Sequence, residues 1–174
     1  MAERDKIIEN KVRRVDIFDF NELYRFCYTY LADEGYFVME KKYTEKVKGE
    51  GKEVEIEWEA KKKISDYFRY IFKVNWRIVG MVKVEAEKDG KKIKMDKGDV
   101  EIKVAGIIEK DYEHKWEKTV FLKFLRGIYD KYIIKSRIDR YEDKIFQEVE
   151  EYLAQIKAFL TMASRRDIGK YTYS

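Results

Sequence analysis

Glu53, Glu55, Glu57 and Glu59 recur at every second residue, and carboxylate oxygens are what hard cations bind. On an extended strand that spacing holds neighbouring carboxylates about 6.6–6.8 Å apart, too far for one ion to bridge. The row therefore reads as one charged face of a strand, with cations expected across from it. His114 is the only imidazole, with Asp111 and Glu113 close by in sequence. A general base needs a nucleophile and a substrate pocket, and no Ser, Cys or Thr forms a motif with His114. It is expected as an ordinary residue of a first helical turn.

Cys27 stands alone, so no disulfide framework exists, and its place on an apolar stripe makes it a small core residue. Asp96 and Asp99 flank Lys97-Gly98 and read as turn formers. The sequence has no Gly-rich phosphate loop, paired-Cys zinc site or nucleophile elbow. The reading is a non-enzyme without catalytic, cofactor-binding or metal-ligating residues. Arg13-Arg14, Lys61-Lys62-Lys63, Lys91-Lys92, Arg137 with Arg140 and Arg165-Arg166 raise nucleic-acid binding as an alternative. Against it stand a net charge of only +4 and an acid within pairing reach of most lysines.

The frame for these groups is one domain: 174 residues, 45% hydrophobic and 41% charged, give a real core but not two. Charge is spread, with −3 over 1–40, +5 over 41–108 and +2 over 109–174, so no segment is a charged tail. The start, Met1 to Asp5, has no apolar signal segment, and no long uncharged run spans a membrane. A cytoplasmic protein is expected. Its 27 Lys and 21 Glu, against three Asn and two Gln, match the bias of heat-adapted proteins, although the absence of Pro does not.

Asp19-Phe20-Asn21-Glu22 has the form of an N-cap, and Phe20, Leu23, Tyr24, Cys27 and Leu31 follow at helical spacing up to Gly35. This predicts a helix over 19–33. Lys6–Arg14 fits a short strand or a helical turn. Over 36–110 the period becomes two, with turns at Gly49-Glu50-Gly51, Ser65-Asp66-Tyr67, Asp89-Gly90 and Lys97-Gly98. The expectation is an antiparallel meander of about six strands.

Register follows from requiring one dry face. Val54 then faces Ile78, Ile56 faces Trp76, Trp58 faces Val74 and Ala60 faces Phe72, with Glu55 against Arg77 and Glu59 against Lys73. The preceding strand is expected to set Tyr43 against Trp58, Val47 against Val54, Lys46 against Glu55, Lys42 against Glu59 and Glu40 against Lys61. At Asp89-Gly90, Glu87 faces Lys92, Glu85 faces Lys94 and Lys83 faces Asp96.

Over 113–162 the spacing is helical. Trp116, Val120, Phe124, Ile128 and Tyr132 recur every fourth residue, widened by Phe121, Leu125 and Tyr129. A second helix of about 137–162 carries Ile138, Tyr141, Ile145, Val149, Tyr152, Ile156 and Phe159; one long bent helix is the alternative. Residues 163–174 form an aperiodic tail. The order strand, helix, meander, long C-terminal helix is similar to the helix-grip layout of START-type ligand-binding domains. That resemblance implies an apolar small-ligand cavity, with Tyr43, Trp58, Phe72, Trp76 and Phe124 at hand to line it; the same rings otherwise simply fill the core.

The fold expected is α+β, the aromatic sheet face covered by the N-terminal helix and a C-terminal helical pair. More apolar surface is available than one sheet face can cover. The function expected is an interaction or structural subunit that self-associates or binds a protein. Its contact residues would be Tyr129, Tyr132 and Ile133 on the first C-terminal helix, and Arg165, Arg166, Ile168, Tyr171 and Tyr173 at the end.

Overall fold

A computed structural model describes residues 2–115, 118–133 and 135–168, with the backbone alone at 130, 133 and 165–168. Tyr171 and Tyr173 lie outside the described residues. The elements are β1 (Glu3–Phe18), α1 (Phe20–Asp33), β2 (Phe37–Lys48), β3 (Gly51–Lys63), β4 (Phe68–Lys88) and β5 (Lys91–Lys110). After them come α2 (Val120–Ile128), a π-helical turn (Tyr129–Ile133) and α3 (Lys135–Ile168). The strands form one antiparallel sheet in the order β1-β5-β4-β3-β2. This is an α+β fold.

Asp19 caps α1, its side chain accepting from the Glu22 amide at 2.9 Å, and the helix buries Leu23, Cys27 and Leu31. Helix α3 buries Ile145, Val149, Tyr152, Ile156 and Leu160. Both helices lie on the sheet face that carries Trp58, Phe72 and Trp76, each at most 2% exposed. The opposite face carries Glu55 and Arg77, whose side chains are exposed at 40% and 62%. The aromatic side is therefore dry and the ionic side wet, as the alternation requires.

Two of the three expected registers hold. Val54 is opposite Ile78, Trp58 opposite Val74 and Ala60 opposite Phe72. At the tip of the β4–β5 hairpin Glu87 is opposite Lys92 and Lys83 opposite Asp96, around Asp89 and Gly90 with φ of 52° and 77°. Between β2 and β3 the expectation fails by two residues: Tyr43 lies opposite Ile56 and Val47 opposite Lys52. That slip starts at the two-residue turn Gly49-Glu50, with Lys48 opposite Gly51. A bulge between Glu40 and Lys42 adds one residue more, which sets Glu40 opposite Trp58 rather than Lys61. There its carboxylate accepts from the Tyr24 hydroxyl at 2.6 Å and from Trp58 Nε1 at 3.3 Å. Tyr43 and Val47 are exposed as a result of sitting on this edge strand, not in the core.

The sheet has five strands rather than six. Lys6–Arg14 belongs to β1, and the alternating runs at 82–86, 93–95 and 100–104 are parts of β4 and β5 rather than strands of their own. Instead β4 and β5 run on as one long hairpin, because a bulge between Val79 and Val82 takes up the irregularity. Gly80 supplies the φ of +65° that this bulge needs. Lys97-Gly98 is accordingly strand and not turn, and Asp96 and Asp99 are ladder residues. A second glycine, Gly106, acts by its size: a Cβ there would lie 2.9 Å from Val149 and 3.2 Å from Ile145, so its absence lets α3 close on β5.

The C-terminal region is helical as expected, in α2, the π-helical turn and α3, with Ile134 outside the described residues. Three helical pieces follow β5, and His114 precedes them in a turn, with φ of 55°, rather than in a first helical turn. Phe124, expected in the core, is 64% exposed.

Candidate functional site

Helix α2 begins at Thr119, whose hydroxyl accepts from the Leu122 amide at 3.2 Å. Its residues Val120, Phe121, Phe124 and Ile128 occupy one arc of the helical wheel, about 100° wide. That arc points away from the protein: Val120 is 85% exposed, Phe121 68% and Phe124 64%, and α2 contains no buried residue. The other side holds Leu122, Leu125 and Arg126, all half-buried. Arg126 is the anchor. Its Nε donates to the Tyr67 hydroxyl at 3.0 Å, and its terminal nitrogens lie 3.1 Å from Glu3 and 3.8 Å from Asp111. The helix is thus inverted, tied down by its charge and presenting its apolar residues to water.

The ground under α2 is well fixed. The Asp111 amide donates to the Tyr67 carbonyl at 2.8 Å, and the Tyr112 hydroxyl to the Ser65 carbonyl at 2.7 Å. Arg69 lies over the Tyr112 ring at 4.7 Å. Next to it, buried Glu109 accepts from Arg4 at 2.8 Å and from Arg69 Nε at 2.7 Å. Burial opposes the Glu109 charge, but these arginines outweigh it and hold the carboxyl below its ordinary value.

Of the contact residues expected from sequence, Tyr132 is 72% exposed, with the Lys131 amine 5.4 Å from its ring centroid. Tyr129 is half-buried, edge-on to Tyr67 at 6.3 Å. Ile133 falls in the π-helical turn, and Arg165, Arg166 and Ile168 in the last turns of α3, all with side chains outside the described residues. Tyr132 is thus exposed together with Val120, Phe121 and Phe124 of the same stripe, of which Phe124 was expected in the core. The available signal was the width of the 116–133 stripe, too broad for one sheet face to cover.

A second feature is a cleft of about 350 Å³ where the β4–β5 hairpin arm passes the start of α1 and the end of α3. Ile93, Met95, Phe159 and Met162 line it, with Glu22, Lys88 and Lys94 among its polar residues. Asp96 holds the arm there, accepting from the Phe20 amide at 3.0 Å and pairing with Lys83 at 2.8 Å. Between sheet and helices the core is filled by Trp58, Tyr70, Phe72 and Tyr152.

The glutamate row is occupied by lysines and arginine. Lys42 Nζ is 2.8 Å from Glu55, Lys48 pairs with Glu53, and Lys61 Nζ is 2.8 Å from Glu59. Hydrogen bonds from these lysines hold all three carboxyls below their ordinary values. Among the described residues no three His, Cys, Asp or Glu form a metal-holding group. Cys27 is fully buried, which pushes its thiol pKa up. No helix among the described residues is long and apolar enough to cross a membrane. In comparison with known proteins, the chain matches no family model, no curated protein and no solved structure.

Proposed function

We propose that the protein is a non-catalytic interaction module that docks through the outward face of α2. One observation carries the reading: Arg126 fixes α2 to the body in an orientation that leaves Val120, Phe121, Phe124 and Ile128 in water. Exposing that much apolar surface on a rigidly held helix has no use in packing this chain. It has one in binding.

Photo-crosslinking from position 124 in the expressing cell tests it, with position 146 as control, because Phe146 is also exposed but lies on α3. Adducts from 124 and none from 146 are expected. Equal yields from both positions, or none from either, overturn the reading.

The cleft favours a second reading, an apolar small-ligand site. In support, the element order with α1 and α3 on one sheet face is similar to the helix-grip layout. Dye displacement by a medium-chain fatty acid, abolished by Met95→Lys, checks it. The nucleic-acid reading is weaker, because the stacking aromatics lie under the helices and Lys11, Arg13, Lys42 and Lys83 each pair with a carboxylate.

A further inference from the structure

We propose that the partner of the α2 face is the surface of an anionic lipid bilayer; this rests on the docking role of α2. Residues 115–140 hold eight Lys and Arg against three Asp and Glu. Lys118, Lys123, Lys131, Lys135, Arg137 and Arg140 are all exposed. Elsewhere the molecule pairs its cations across strands, as Lys11 does with Glu101 and Arg13 with Asp99. Around α2 the sequence balance is +5, with Arg126 paired to Glu3 and Lys115 to Glu113, and the neighbouring apolar residues are in water. Exposed apolar side chains with exposed cations close by in the chain match the acyl boundary of a bilayer and the acidic headgroups above it.

Charge and size exclude the other occupants. A second copy meeting the first through this face sets Lys123 and its neighbouring cations against their own copies, since a two-fold contact is self-complementary. A stable protein interface buries roughly 800 Å² on each side. Nine residues of helix extend only about 13 Å. One short convex helix does not provide that area. A bilayer requires no groove, because Val120, Phe121 and Phe124 enter it individually while Tyr132 and Lys131 remain at headgroup level. Arg126 is occupied by Glu3 and Tyr67, so it orients the helix and leaves headgroup contact to the exposed lysines.

The test is co-sedimentation of the full chain with phosphatidylcholine vesicles, alone or mixed with phosphatidylglycerol. Binding to the mixed vesicles that weakens with salt is expected. Phe121→Ser with Phe124→Ser should lower that binding by about tenfold or more, from the loss of two inserted rings. Lys123→Glu with Lys131→Glu should lower it as well, while Phe37→Ser, an exposed ring on β2, should not. All these side chains are exposed, so far-UV circular dichroism of each variant should match the parent.

Failure to bind mixed vesicles, equal binding to neutral ones, or indifference to the Phe pair overturns the inference. So does a doubled solution mass that the Phe pair abolishes, which would assign the face to a second copy. If position 124 still crosslinks to protein while vesicles do not bind, docking stands and the bilayer falls. If neither occurs, both fall.

Discussion

Along α3, Ile145, Val149, Tyr152 and Ile156 lie three or four residues apart, and none exposes any surface. Along α2, Val120, Phe124 and Ile128 lie four apart and all are exposed. The apolar spacing is alike in both helices; what differs is the opposite side. The side of α3 away from the sheet carries acids and lysines that prefer water. The opposite side of α2 carries Arg126, for which Glu3, Asp111 and Tyr67 offer better partners than water does. An amphipathic pattern thus identifies two faces, and the partners available to the polar one decide which turns inward.

That comparison is sharpest in folding energy. Phe72 is buried against Tyr36, with ring centroids 4.5 Å apart, and against Tyr152 under α3. Phe72→Ala is expected to cost about 3–5 kcal/mol in urea unfolding, the range for a deleted core aromatic. A cost below roughly 1 kcal/mol would mean that α3 does not close the core.

A smaller effect tests the seat of α3. Gly106→Ala places a methyl against Val149, Ile145 and the Ile8 side chain, the last at 3.0 Å. Overpacking of this kind costs about 1–3 kcal/mol. Urea unfolding with unchanged stability would show that α3 stands off β5.

Acid separates the two regions by charge. Hydrogen bonds from Arg13 and Lys11 hold Asp99 and Glu101 below their ordinary values, and Glu109 is likewise held down by Arg4 and Arg69 despite its burial. For a carboxyl lowered by folding, the stabilisation is complete above the unfolded pKa and is lost as pH falls through the folded one. The urea midpoint should therefore be level above the usual carboxylate range and decline below it. Glu109→Gln should shrink the decline. A midpoint that rises on acidification would contradict these pairings. The outward residues of α2 carry no titrating group in that range.

The same contrast explains what could be read from the residues alone. The β3–β4 register and the Asp89-Gly90 hairpin were legible because alternation and turn chemistry agree there, with Glu55 meeting Arg77 and Lys83 meeting Asp96. The β2–β3 register was not. Gly49-Glu50-Gly51 permits more than one turn length, and the chain takes the two-residue turn, while the bulge at Lys41 that adds one residue more has no local marker. The hairpin arm was not legible because Lys97-Gly98 resembles a turn until β5 is seen to continue through it. Tyr132 was legible as a surface residue. The outward turn of Phe121 and Phe124 was not, since it depends on Arg126 meeting Glu3 more than a hundred residues away.

The smallest expected effect bears most directly on the difference between the helices. Phe124→Ser removes a ring that is 64% exposed, so the urea midpoint should change by no more than about 0.5 kcal/mol of stability. Serine forms helix less readily than residues such as leucine, but the loss in propensity is a few tenths of a kcal/mol. A cost of about 2 kcal/mol or more would place Phe124 in a packed interior in solution and make α2 a core helix like α3. A near-silent substitution that still abolishes association would give the ring a role outside this chain's own fold.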